Sequence, residues 1–269
     1  MKQVAMILML SMTVPATKSK GILLEDLTWL EAEKVLGPST VVVIPLGAAA
    51  KEHGPHLRLK NDLLTAEYLK KKVLEQTNVV VAPTVNYSFY PAFLEYPGST
   101  SLRLETARDM IVDICRSLAR YGPRRFYVIN TGVSTLSALK PAAEAMAGEG
   151  LVLRYSDILK ILEPVEKALS KQEGGTHADE IETSMMLYAA PDDVDMKKAV
   201  KDYHPRKGKG GLTRSPNGEG IYSPTGIWGD PTLATREKGQ RVTEALIESV
   251  LREIEDLRRS PVPEPQSKQ

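Results

Sequence analysis

The stretch TVVVIPLGAAAKEHGPHLRLKND, Thr40 to Asp62, joins an apolar run to a cluster of polar side chains. Thr40 to Leu46 is short, rich in β-branched residues and without apolar–polar alternation, as expected of a strand buried on both faces. Gly47 ends it, and Lys51, Glu52, His53, His56 and Asp62 follow closely. Imidazole nitrogens and carboxylate oxygens suit borderline and hard divalent cations. A segment that carries them off the carboxyl end of a buried strand is therefore a candidate metal site.

Further periodic segments flank this stretch on both sides. Thr28 and Glu31 have capping-box spacing and open a helix to about Leu36, stopped by Gly37-Pro38. Asp62 to Gln76 reads as a helix, Asn78 to Ala82 as a second buried strand, and Tyr87 to Ser99 as an irregular loop rich in Tyr, Pro and Gly. A helix over Leu104–Tyr121, a strand over Arg125–Asn130, a helix over Ser134–Gly148 and a strand over Leu151–Tyr155 follow. Further on come a short helix, Ile181–Ala190, a long polar excursion, Asp202–Gly229, and a closing helix, Thr235–Arg258. This alternation predicts an α/β fold, a mostly parallel sheet covered by helices on both faces. Ligands of such sheets gather at the carboxyl ends of strands. That rule selects Gly47–Asp62, Tyr87–Ser99 and Asn130–Thr135.

The chain has 269 residues, 42% hydrophobic and 26% charged, with a formal net charge of +1, which suits one large domain. No basic excess points to nucleic acid. Cys115 is the only cysteine; it sits in an apolar helical pattern and reads as a buried small residue. At the N-terminus, Lys2 precedes the apolar run Val4–Val14, too short to span a bilayer, and Val14-Pro15-Ala16 leads into a polar stretch. This pattern predicts a signal peptide over residues 1–16, cleaved near Ala16, and a periplasmic or secreted mature protein with no membrane segment after cleavage. The expected domain is 17–258, and 259–269, rich in Pro and polar residues, is expected to be a disordered tail.

A second polar cluster, GGTHADEIETS over Gly174–Ser184, carries His177, Glu180 and Glu182. Two residues apart in a helix, Glu180 and Glu182 point in different directions. Glu180 then reads as a favourable charge in a first helical turn. His56 is either a ligand or a loop-holding group, and Asn130 is expected to cap the helix after its strand. The KGKGG run, Lys207 to Gly211, lacks phosphate-loop spacing. Tyr222 and Trp228 either cover a small substrate or anchor their loop.

These motifs resemble the creatininase (creatinine amidohydrolase) family. Lys51–Asp62 is similar to its G-x-x-E-x-H-G-x-H-L-P-x-x-x-D signature, YPGSTSL to F-P-G-T-x-S-L, GGTHADEIETSMML to H-A-G-x-x-E-T-S-x-M-L, and GDPTLATREKG to G-D-x-x-x-A-T-x-E-K-G. In order and spacing they run from about Leu27 to Arg258. The resemblance implies a three-layer α/β/α sandwich, a homo-oligomer (often a hexamer), a small-molecule substrate, and hydrolysis of cyclic amides, formamides or short peptides at a zinc or manganese site. It places a metal ligand at His53, the metal-bridging carboxylate at Asp62, a proton-handling histidine at His177 and a supporting carboxylate at Glu182. Two expected ligand positions differ here. The glutamate of E-x-H falls on Lys51, with Glu52 one place late, and a histidine expected after the Arg125–Asn130 strand falls on Gly132.

Three alternatives follow. In the first, the chain is a hydrolase of a small cyclic amide, lactam, lactone or related bond. One zinc or manganese ion per subunit is then held by Glu52, His53 and Asp62, with His177, Glu182 and Lys51 as catalytic groups. Lys51 here either replaces one metal beside Asp62 or acts as an acid or base. In the second, the fold persists in an inactive exported binding or scaffold protein. In the third, the site works by metal-free acid–base chemistry.

Overall fold

The computed structural model describes residues 19–204 and 210–264. The expected signal peptide, residues 205–209 of the polar excursion and the end of the expected tail lie outside them. Strands β1 (Ile22–Leu23), β2 (Val41–Leu46), β3 (Val80–Val81), β4 (Arg125–Asn130) and β5 (Val152–Tyr155) form one parallel sheet in the order β1-β3-β2-β4-β5. Helices α1 (Trp29–Val35), α2 (Asn61–Gln76), α3 (Leu104–Ala119), α4 (Leu136–Gly148), α5 (Ile158–Leu169), α6 (Glu180–Ala189) and α7 (Arg236–Arg259) surround it.

The unbroken apolar run of β2 is explained by its central place, with every residue buried. Successive side chains point to opposite faces. Val42, Ile44 and Leu46, with Phe126 and Val128, pack on Ile111, Cys115, Leu139 and Met146 of α3 and α4. Val41 and Val43, with Tyr127 and Ile129, pack on Leu69, Met185, Val242 and Leu246 of α2, α6 and α7. The result is the expected α/β/α sandwich. Pro45 sits in the central strand without breaking it. Its carbonyl faces Val85 on the β3 side, where strand pairing ends at Val81, and the ladder to β4 continues intact.

Capping chemistry sets the helix ends. Thr28 and Glu31 form the predicted capping box of α1, and Thr235 caps α7 through Lys238 N–H. Cys115 is buried in α3, and burial pushes its thiol up to about 12. Besides the unanticipated edge strand β1, three features differ from expectation. An unanticipated helix, α5, contains Pro164 and starts at the cap Asp157. The polar excursion carries a short parallel pair, β6 (Leu212–Thr213) with β7 (Ile221–Tyr222), packed on Phe93 and Tyr96. Asn130 does not cap α4: its Oδ1 accepts from Gly132 N–H and Thr135 Oγ1, and its Nδ2 donates to Gly132 O and Ser156 O, so it ties the β4 loop to itself and to β5.

The register places Leu46 beside Asn130, so the loops after β2 and β4 leave the sheet together. Gly47 allows α2 to close on the strand end: a Cβ there would meet the Asp62 carbonyl carbon at 2.7 Å and the Ala66 methyl at 2.8 Å. Asp62 is thereby held at the floor of the cleft. No helix of the described residues is long and apolar enough to cross a membrane.

Candidate metal centre

The loop after β2 is held by its backbone: Lys51 N–H donates to Leu59 O, and Glu52 N–H to Ser99 Oγ. Side chains alternate along it, so Lys51 and His53 turn to Asp62 while Glu52 turns to the other side. His53 Nδ1 lies 2.9 Å from the Lys51 carbonyl, an acceptor only, so Nδ1 carries a proton. Its Nε2 lies 2.9 Å from Asp62 Oδ1 and 3.3 Å from Glu182 Oε1.

His177 belongs to an extended segment paired with Trp228: Trp228 N–H donates to His177 O at 2.8 Å. Its Nε2 faces the Glu52 carbonyl at 3.0 Å and Glu52 Oε2 at 3.1 Å, so Nε2 is the protonated nitrogen and Nδ1 turns to Glu182 Oε2 at 3.8 Å. The next residue, Ala178, has φ 48°, a left-handed conformation costly for a residue with a Cβ. This turn sends the chain directly into α6. Asp179 Oδ1 caps that helix, accepting from Ile181 and Glu182 N–H, while Glu182 Oε2 reaches back to Ala178 N–H at 2.7 Å.

One nitrogen from each of His53 and His177 and one oxygen of Glu182 lie within 4.8 Å of one another. Glu180 points away, as its spacing requires. It is ion-paired with Lys238 and accepts from Lys171 and Gln172 N–H. His56 stands apart, bonded to Thr183 Oγ1 at 2.8 Å; burial lowers its imidazole to about 4, so it joins the loop to α6 as a neutral group.

The side chains expected at the site lie together in two overlapping groups. Of Glu52, His53 and Asp62, only His53 lies in the three-donor cluster. The Glu52 carboxylate accepts from Gly54 N–H and faces His177 Nε2. Asp62 is shared between His53 and Lys51, whose Nζ lies 2.8 Å from Oδ2 at an angle outside hydrogen-bonding geometry, a buried ion pair. The Lys51 ammonium also lies 4.8 Å from the Phe93 ring centre and 5.6 Å from that of Tyr90. His177 and Glu182, expected as catalytic groups, complete the donor cluster.

Electrostatics follow from this packing. Burial and Lys51 depress the His53 imidazole, but Asp62 and Glu182 outweigh them and raise it to about 9. Burial alone would raise Asp62, yet Lys51 and His53 hold it below its ordinary value. Glu182 is likewise held low by His53 and His177 against burial. The cluster opens on a cavity of about 490 Å³ whose wall includes Phe93, Gly132, Leu162 and Trp228.

The sequence profile of the creatininase family, described as creatinine amidohydrolase, matches residues 25–254. The chain belongs to the creatininase family. It is 27% identical to the creatinine amidohydrolase of Pseudomonas putida over 251 residues, covering 86% of this chain and 95% of that protein. It is 29% identical to the mycofactocin precursor peptide peptidase of Mycolicibacterium smegmatis over 220 residues, 77% and 81% of the two chains. A solved structure of a creatininase, "Creatininase Mn", superposes with a TM-score of 0.73 at 25% identity, covering 90% of this chain and all of that one. Against the creatininase signature quoted above, the Lys51 ammonium stands where a ligand carboxylate is expected. At the expected histidine position, Gly132 lines the cavity, where a Cβ would meet Thr135 Oγ1 at 3.0 Å.

Proposed function

We propose that the protein is a hydrolase that uses one divalent ion per chain, zinc or manganese, to cleave a small cyclic amide, lactam, lactone or related C–N or C–O bond. The observation that carries this reading is the orientation of both imidazoles: each turns one ring nitrogen to a backbone carbonyl and the other to Glu182, where a metal ion would displace the second proton of the His53 imidazolium. Backbone carbonyls of Lys51 and Glu52 fix the protons on His53 Nδ1 and His177 Nε2. The opposite nitrogens lie beside Glu182, the orientation that metal-binding histidines usually take. Two imidazoles and a carboxylate suit zinc or manganese and leave coordination positions open.

A bound ion would supply Lewis acidity toward a carbonyl at neutral pH. The remaining tasks fall to side chains. Lys51 sets a fixed positive charge in the cavity where a second cation would otherwise be needed, placed to favour negative charge developing on a carbonyl oxygen. Asp62 holds that ammonium, and Glu52 holds His177. Phe93 and Trp228 line the cavity and offer a bound substrate apolar ring surface. Two relatives, named as an amidohydrolase and a peptidase, support a C–N substrate. Export after cleavage near Ala16 and a homo-oligomeric state belong to the same proposal; N-terminal sequencing and sedimentation test them.

Chelator-treated protein, reloaded separately with zinc and manganese, should be offered cyclic amides, lactones and short peptides. Hydrolysis that returns with metal and is absent in a folded His53→Ala variant is expected. No turnover of any of these classes with either metal would refute the reading.

A further inference from the structure

Helix α5 gives the cavity a wall whose chemistry the metal centre does not use. Ile158, Leu162 and Glu166 are spaced four apart and so form one stripe along the helix. All three line the same cavity as Lys51, His177 and Glu182, with Met185 of α6 and Leu246 of α7. The stripe is thus two aliphatic side chains followed by a carboxylate. Among the described residues, Glu166 has no hydrogen-bond or ion-pair partner for its side chain. Its acidic neighbours are satisfied: Asp179 caps α6 and accepts from Gln172 Nε2 at 2.6 Å, and Glu182 accepts from Ala178 N–H and Asn61 Nδ2.

The Glu166 side chain is half-buried in that wall, where its ionised form loses part of its hydration and gains from a cationic partner. Burial, then the charges of Asp179 and Glu182, push Glu166 up to about 7. Like charges on that side of the cavity favour a cation over a neutral donor, and Lys51 is already committed to Asp62.

We propose that Glu166 is a specificity-determining residue that receives a primary ammonium or guanidinium group, carried by the substrate on a short aliphatic arm lying along Ile158 and Leu162. The inference rests on the hydrolase reading for the statement that the ligand is a substrate. The recognition of a cation can be read separately, by binding.

The probes are short ω-aminoalkanamides of increasing length, each beside a neutral isostere with a terminal methyl in place of the ammonium. Calorimetric binding and hydrolysis are measured on zinc-loaded wild type, Glu166→Gln and Glu166→Lys. The best amine should bind wild type tighter than its isostere by about tenfold to hundredfold, the range of a charge-assisted hydrogen bond. Glu166→Gln should abolish that advantage and leave the isostere unchanged. Glu166→Lys should transfer the preference to ω-carboxyalkanamides. Equal binding of amine and isostere, no binding of either, or an advantage that survives in both variants, overturns the proposal. A Glu166-dependent preference without hydrolysis of any probe upholds the cation site and counts against the hydrolase reading. Hydrolysis of neutral amides with no amine preference does the reverse.

Discussion

Replacing Lys51 with Met removes one charge from a deeply buried ion pair of the site. Nζ lies 2.8 Å from Asp62 Oδ2, and the two side chains are 6% and 2% exposed. At an effective dielectric constant near 20, attraction at that distance is about 6 kcal/mol. Desolvation of both groups absorbs part of it, and deleting one partner of a buried pair usually costs roughly 3–5 kcal/mol. Met has nearly the length and volume of the lysine side chain, so lost packing adds little. His53 remains on Asp62 Oδ1, which places the expected loss near the lower figure, about 3 kcal/mol. That is a large share of the roughly 5–15 kcal/mol that holds a typical domain. Urea unfolding of chelator-treated protein at pH 7 reads it, with Asp62→Leu and the double variant completing a cycle. A coupling energy of at least about 2 kcal/mol is expected for groups in such contact. If Lys51→Met cost less than about 1 kcal/mol, in the range of an exposed pair, the description of Lys51 as the fixed cation of the site would be wrong.

Other consequences can be measured independently. His53, raised to about 9 in the metal-free chain, contributes stability that is complete below the ordinary histidine value and lost as pH rises through about 9. Melting temperatures of chelated protein should therefore fall between pH 7 and 10, and a His53→Gln variant should show a flatter profile. Glu166, raised to about 7, favours the fold in its protonated form, so its contribution is complete below the ordinary glutamate range and lost as pH rises through about 7. Glu166→Gln should raise the melting temperature at pH 8 and leave it nearly unchanged at pH 4; a larger gain at pH 4 would contradict the burial argument. Ala178→Val places a β-branched residue at φ 48° in a fully buried position and should cost at least about 2 kcal/mol, read by urea unfolding. A neutral result would mean that the turn before α6 is relaxed.

The sheet was legible because its central strands are unambiguous. Thr40–Leu46 and Arg125–Asn130 are short apolar runs bounded by breakers, and their parallel pairing follows from the helices between them. Asp62 and His53 were placed in one site by the rule that strand ends carry ligands. Helix α5 was missed because Pro164 interrupts its pattern, although Asp157 as a cap and apolar Ile158, Ile161, Leu162 and Val165 were present as signals. The spacing of Glu180 and Glu182 established that they diverge. The resemblance selected Glu182 as the one that faces the site; physically this follows from the local Asp179 cap and the left-handed turn at Ala178. The orientation of His177 depends on its pairing with Trp228, distant in sequence, and no local pattern encodes that contact. The side-chain alternation that separates Glu52 from its neighbours needed the loop to be extended, which its Gly-Pro composition did not disclose.

Metal content per chain tests the central claim most directly. Protein is equilibrated with zinc or with manganese, desalted and submitted to elemental analysis beside Glu182→Gln and His177→Ala. One ion per chain in the wild type, lost in both variants, is the predicted result. Two ions per chain, none, or one that persists when His177 and Glu182 are altered would contradict the account.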